Sequence, residues 1–139
     1  MDDVTVRSPD GRHEARLLYA GRVRFGPPYC SLETDGRSLG RRVVGAGCLW
    51  SQDAPILAVE EWLMTEPARG PRAALVLLDA ERLHETNLSP AAAGFVVPLR
   101  FEGPLVVCKR EDYGRGVVRE IESGFPPAPK WRPIGRTAW

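Results

Sequence analysis

Ser8-Pro9-Asp10-Gly11-Arg12 and Trp50-Ser51-Gln52-Asp53-Ala54 each stand directly before an alternating apolar run, and their aspartates lie 43 positions apart. Asp35 and Asp79 repeat the relation: each closes a strand-like run, each precedes a turn, and they are 44 apart. Two landmarks in one register define an internal repeat. A period of about 43 residues is that of a unit of four short antiparallel strands. With Gly 14 and Pro 13 in 139 residues, the chain is interrupted every few positions, which disfavours long helices and favours short strands joined by turns.

The first unit, 4–47, reads as strands over 4–6, 13–19, 29–34 and 37–44. Pro9-Asp10-Gly11 supplies one turn, and Asp35-Gly36 suits a two-residue hairpin. The second unit, 48–92, repeats that order with strands over 48–51, 56–64, 72–79 and 83–88. Within it Ala73-Ala74-Leu75-Val76-Leu77-Leu78 is apolar on both faces, the mark of a strand covered on both sides and of the centre of a core. A third unit, 93–123, keeps three strands, over 95–101, 105–111 and 117–122, without the Ser-Pro-Asp-Gly signature. From Gly124 onward, Gly-Phe-Pro-Pro-Ala-Pro-Lys-Trp-Arg-Pro reads as an extended Pro/Trp-rich tail, 124–139, able to cap an open strand edge. The expected fold is a single all-β domain.

Ser-Pro-Asp-Gly-Arg before an alternating strand, together with Trp-Ser-Gln-Asp-Ala-Pro-Ile-Leu-Ala-Val-Glu, resembles the blade motif of WD-like and TolB-type β-propellers, in which Trp-Ser-Pro-Asp-Gly opens the second strand. The resemblance covers 4–92 well and 93–122 less closely. Here Val6-Arg7 stands where the aromatic would be, Gln52 replaces the proline and Ala54 the glycine. It implies about three blade-like four-stranded units in an open or partial propeller or sandwich, since closing a ring takes at least four blades. Trp50 corresponds to the structural tryptophan of the motif and is assigned to the core.

Composition excludes several function classes. Lys+Arg 19 against Asp+Glu 18 gives a formal charge of +1, and the basic residues are scattered, so the footprint of a nucleic-acid or anionic-membrane binder is missing. Cys30, Cys48 and Cys108 show no C-x-x-C spacing and read as reduced core residues. Met1-Asp2-Asp3 opens no secretory signal, and no apolar run approaches the ~20 residues of a membrane span; a cytoplasmic protein is expected. His13 and His84 lack metal-ligand spacing, no Gly-x-Ser-x-Gly elbow occurs, and Gly45-Ala46-Gly47 is followed by no Gly-Lys-Ser/Thr. No metal, cofactor or catalytic residue is therefore assigned. Only a pocket gathering His84 with two carboxylates would reopen an enzyme reading.

What remains is recognition. The acidic pairs Glu60-Glu61 and Glu111-Asp112 end equivalent second strands, and Trp62, Arg69, Arg72, Tyr113 and Arg115 stand beside them. Tryptophan and arginine at a loop rim are interface residue types. The expectation is a non-enzymatic protein-binding domain with Glu60, Glu61, Trp62, Arg69, Arg72, Glu111, Asp112, Tyr113 and Arg115 as its partner-binding rim. Short blade-repeat proteins of this kind are similar to those found beside secreted bacterial toxins, which implies an immunity protein that covers a toxin. The alternative is an oligomeric propeller-type scaffold binding a ligand or carbohydrate, with Trp62 or Tyr113 stacking on it. Should the rim carry no binding, the Trp-bearing tail is the next surface.

Overall fold

The computed structural model of the chain describes residues 3–22, 27–64, 72–88, 92–112, 116 and 118–135. The strands are β1 (Val4–Arg7), β2 (Glu14–Arg22), β3 (Pro28–Thr34), β4 (Arg37–Trp50), β5 (Ile56–Met64), β6 (Arg72–Asp79), β7 (His84–Asn87), β8 (Ala92–Glu102), β9 (Leu105–Asp112), β10 (Val118–Gly124) and β11 (Arg132–Pro133). All pair antiparallel within one open sheet ordered β1-β2-β3-β4-β5-β6-β8-β9-β10, with β7 and β11 attached beside β6. Among the described residues there is no α-helix, only a 3-10 turn at Ala128–Lys130.

The repeat is written into the ladder. Val6 pairs with Ala15 and Leu49 with Ala58; Leu17 pairs with Leu32 and Glu60 with Leu75, each step 43 residues on. Both hairpins break register at the same place, between Tyr19 and Gly21 and between Trp62 and Met64. Both then resume, Gly21 on Tyr29 and Met64 on Arg72. The turns agree as well: the Ser8 N–H donates to His13 O at 2.9 Å and the Ser51 N–H to Ile56 O at 2.8 Å. Asp35 and Gly36 adopt φ of 48° and 78°, which is the positive-φ pair that a two-residue type I′ hairpin demands.

The expected strands at 37–44 and 48–51 are one continuous strand. Gly45-Ala46-Gly47 is not a chain reversal: β4 passes through it with its register to β5 shifting between Val44 and Cys48. A bulge in a glycine-rich stretch bends a strand without ending it, so the first two repeats share β4 and lie in one sheet. At the far end β6 is shared, pairing through Arg72 and Ala73 with β8 and through Val76 to Asp79 with β7.

Alternation on β5 and β6 divides the core in two. On one face Leu57, Val59, Val76 and Leu78 join Ala15, Leu17, Cys30, Leu32, Leu39, Val44 and Trp50. On the other Ile56, Ala58, Leu75 and Leu77 join Ala73, Val96, Val106 and Cys108. The amino-terminal strands thus cover one face of β5–β6 and β8–β9 the opposite face. The tail is not simply extended: Phe125 and Trp131 pack on the second cluster and Ile134 on the first.

Trp50 is 6% exposed; its Nε1–H donates to Val6 O at 2.9 Å and His13 stacks on its ring at 6.2 Å. It therefore joins the end of β4 to the outermost strand. Trp50→Ala is expected to cost about 3–5 kcal/mol, measured by urea unfolding, while Trp50→Phe, which keeps most of the packing, costs less than half of that.

Candidate functional site

The residues expected to form a rim are placed very differently. Glu60 and Trp62 lie on the face of β5 that meets β8, at 4% and 0% exposure. Glu61, one position along, points to the opposite face as strand geometry requires. Glu60 and Trp62 are thus buried between layers and Glu61 is half-buried, so none of the three stands on a loop rim. Glu111 and Asp112 end β9 half-buried; Asp112 lies 3.5 Å from Arg110, and Glu111 pairs across the ladder with Phe95. The Phe95 ring meets the Trp62 indole edge-on at 5.1 Å, so the two expected segments do approach each other, through the interior. Arg72 is exposed at the start of β6. Arg69, Tyr113 and Arg115 lie outside the described residues.

Glu60 is a tie between layers. The Val96 N–H of β8 donates to its Oε2 at 2.6 Å. Burial pushes its carboxyl up to about 7, against the opposing pull of that N–H and of Lys109. The nearby Trp62 Nε1–H is buried without a hydrogen-bond partner among the described residues. Both polar ends face Gly45, where a methyl group would displace Glu60 Oε1 and crowd Trp62 Nε1.

Glu61 belongs to a second cluster on the opposite face. Arg42 Nε and Nη2 donate to Glu61 at 2.7 and 2.8 Å, and Nη1 and Nη2 donate to Glu85 of β7 at 2.7 and 2.9 Å. The remaining donor goes from Nη1 to Gly135 O at 2.8 Å. All five guanidinium N–H groups are thereby used. Burial alone would lower the Arg42 pKa, but the bonds and charges of Glu61 and Glu85 outweigh it and raise it. Glu85 also accepts the Gly135 N–H at 2.7 Å and lies 3.4 Å from Arg132 Nη2. Arg42 and Glu85 therefore clasp the carboxy-terminal segment, 125–135, while Glu61 holds the guanidinium in place.

Beside that segment lies an open groove of about 540 Å³, lined among others by Ile56, Asp79, Arg82, His84, Phe125 and Trp131. Glu81 also reaches it, so one pocket holds His84 with two carboxylates. Asp79 Oδ1, however, accepts the N–H groups of Glu81 and Arg82 at 3.0 and 2.9 Å, which is turn-capping work. Among the described residues no hydrogen bond joins His84 to either carboxylate, and no three His, Cys, Asp or Glu side chains converge as for a metal. The three free cysteines are held as thiols by burial, Cys48 with its pKa raised to about 11. Among the described residues no helix is long and apolar enough to cross a membrane.

No protein-family profile, curated protein or solved structure matches this chain. The reading of its site therefore rests on its own geometry.

Two outcomes follow from the buried charges. A carboxyl whose pKa is higher folded than unfolded favours the native state only while protonated. That contribution is complete below the ordinary value of 4.5 and lost as pH rises through about 7. Glu60→Gln is thus expected to flatten the stability profile between those values, and above pH 8 to exceed the parent by roughly 3 kcal/mol, read from denaturant midpoints across pH. Arg42→Met leaves Glu61 without its counter-ion and Glu85 with Arg132 alone, and is expected to lower stability by about 3–5 kcal/mol at neutral pH, by the same titration.

Proposed function

We propose that this chain is a non-enzymatic protein-binding domain, and specifically a bacterial immunity protein that binds and covers a cognate toxin. The observation that carries the reading is the groove between the turn at 53–56, the turn at 79–84 and the carboxy-terminal segment. It brings the Trp131 and Phe125 rings together with exposed Arg82 and Glu81, a mixture of large rings and arginine typical of binding hot spots. The buried charges Arg42, Glu60, Glu61 and Glu85 hold strands together, whereas Glu81 and Arg82 stand exposed beside the rings of this groove. The 43-residue repeat of ladder register supports reading β1–β3 and the end of β4 with β5–β6 as two related blade-like units of the WD-like or TolB kind.

An oligomeric, ligand- or carbohydrate-binding scaffold is the second reading. It is favoured by β1 and β10, which end the sheet and pair on one side each among the described residues. Sedimentation separates the two, because a scaffold that completes a ring sediments as an oligomer and a toxin-binding domain as a monomer.

The test is titration calorimetry against the product of the neighbouring reading frame. Arg82→Ala is expected to cost about 2 kcal/mol or more of binding with the melting temperature unchanged, since the side chain is exposed. Undiminished affinity in an Arg82→Ala, Glu81→Ala double variant moves the interface away from this groove, and absence of any complex with that product removes the immunity reading.

A further inference from the structure

The segment 125–135 sits along the outer edge of β7 like a bound peptide. Arg132 pairs with Glu85 and Pro133 with His84 in a two-residue ladder. The Ile134 N–H donates to Leu83 O at 3.1 Å, and Thr86 Oγ1 donates to Lys130 O at 3.1 Å. At the end of the segment Gly135 is gripped through its backbone alone, N–H to Glu85 and C=O from Arg42. Main-chain pairing plus one charged contact is how an extended peptide is recognised when it is added to a sheet edge.

As an occupant the segment is incomplete. The 3-10 turn at Ala128–Lys130 lifts the chain away after two pairs, although β7 offers four residues. Space remains on both sides: the groove of about 540 Å³ against Phe125, Ala128 and Trp131, and a second of about 210 Å³ against Leu39, Leu83 and Ile134. Charge sets the remaining requirement. Glu61 and Glu85 around Arg42 carry one formal negative charge in excess, and Arg132, bonded also to Asn87 Oδ1 at 3.1 Å, supplies the balancing cation.

We propose that the trough along β7 is a docking site for an extended, arginine-bearing segment of a partner protein, and that residues 132–135 occupy it as a tethered stand-in that the partner displaces while Phe125 and Trp131 stay packed on the core. The proposal rests on the protein-binding reading and names the part of the partner that is read. A competent segment places arginine opposite Glu85 and a small residue between Glu85 and Arg42. A tethered competitor acts at an effective concentration of about millimolar, so the closed chain masks the trough. Loosening the tether lowers the apparent Kd in proportion to the fraction open.

The experiment uses the whole chain and a fluorescent synthetic peptide of residues 125–135, read by anisotropy beside a scrambled control. Two variants weaken the stand-in without touching the trough walls: Gly135→Pro removes the N–H given to Glu85, and Arg132→Ala removes the balancing charge. Each is expected to bind the peptide at least tenfold more tightly than the parent chain does. Arg132→Glu in the peptide should abolish binding. The proposal is overturned if neither variant binds more tightly than the parent, if the scrambled peptide binds equally, or if the variants instead exchange segments into a dimer, which would make a second copy the occupant. Loss of peptide binding while the toxin titration stays intact would remove this proposal and leave the protein-binding reading standing.

Discussion

Strands β5 and β6 are covered on both faces over 56–60 and 73–78, and a charge carried into that layer must be answered inside the protein. That constraint organises the rest of the molecule. Glu60 faces β8 and is answered by the Val96 N–H; Glu61 faces the other way and is answered by Arg42, whose remaining donors take up Glu85 and Gly135. Two adjacent residues of one strand thereby fasten the third group of strands on one face and the carboxy-terminal segment on the other. Polar groups that would be costly if left unpaired in the interior instead fix which elements may pack there.

Much of the fold was legible. Gly and Pro punctuation, the Asp-Gly hairpin and the doubly apolar run at 73–78 located the strands, and the 43-residue spacing reappears in the ladder down to the shared break after Tyr19 and Trp62. What escaped was whether Gly45-Ala46-Gly47 ends a strand or only bends it. Glycine permits either, and the pairing of Cys48, Leu49 and Trp50 with β5 decides. The site was less legible, because a Glu-Glu-Trp string looks like a solvated rim. Its partner Arg42 lies 19 residues upstream and reads as half of an unremarkable Arg41-Arg42 pair. The one available signal was position: Arg42 stands two residues from Val44, on the buried face of its strand. Nothing local in the Pro-rich tail announced that Gly135 would be held by its backbone between two buried charged side chains.

The same economy shapes the functional reading. Arg42, Glu60, Glu61 and Glu85 are spent on internal ties, and rings, an exposed arginine and open volume meet in the trough where the carboxy-terminal segment lies. A domain of shared strands with one loosely filled edge is suited to exchanging a tethered segment for an external one, since the two-residue ladder can open while β5 and β6 stay closed.

Residue-resolved native-state hydrogen exchange separates opening of the doubly covered strands from opening of the carboxy-terminal segment. If the doubly covered pair is the constraint on which the fold depends, the paired amides of β5 and β6 exchange only through global unfolding, with the same denaturant dependence as the whole protein. The Ile134 and Gly135 amides then open at a much lower free energy and independently of it. Exchange from β5 and β6 as fast as from the edge strands β1 and β10, or opening of Gly135 only together with the core, would contradict the account.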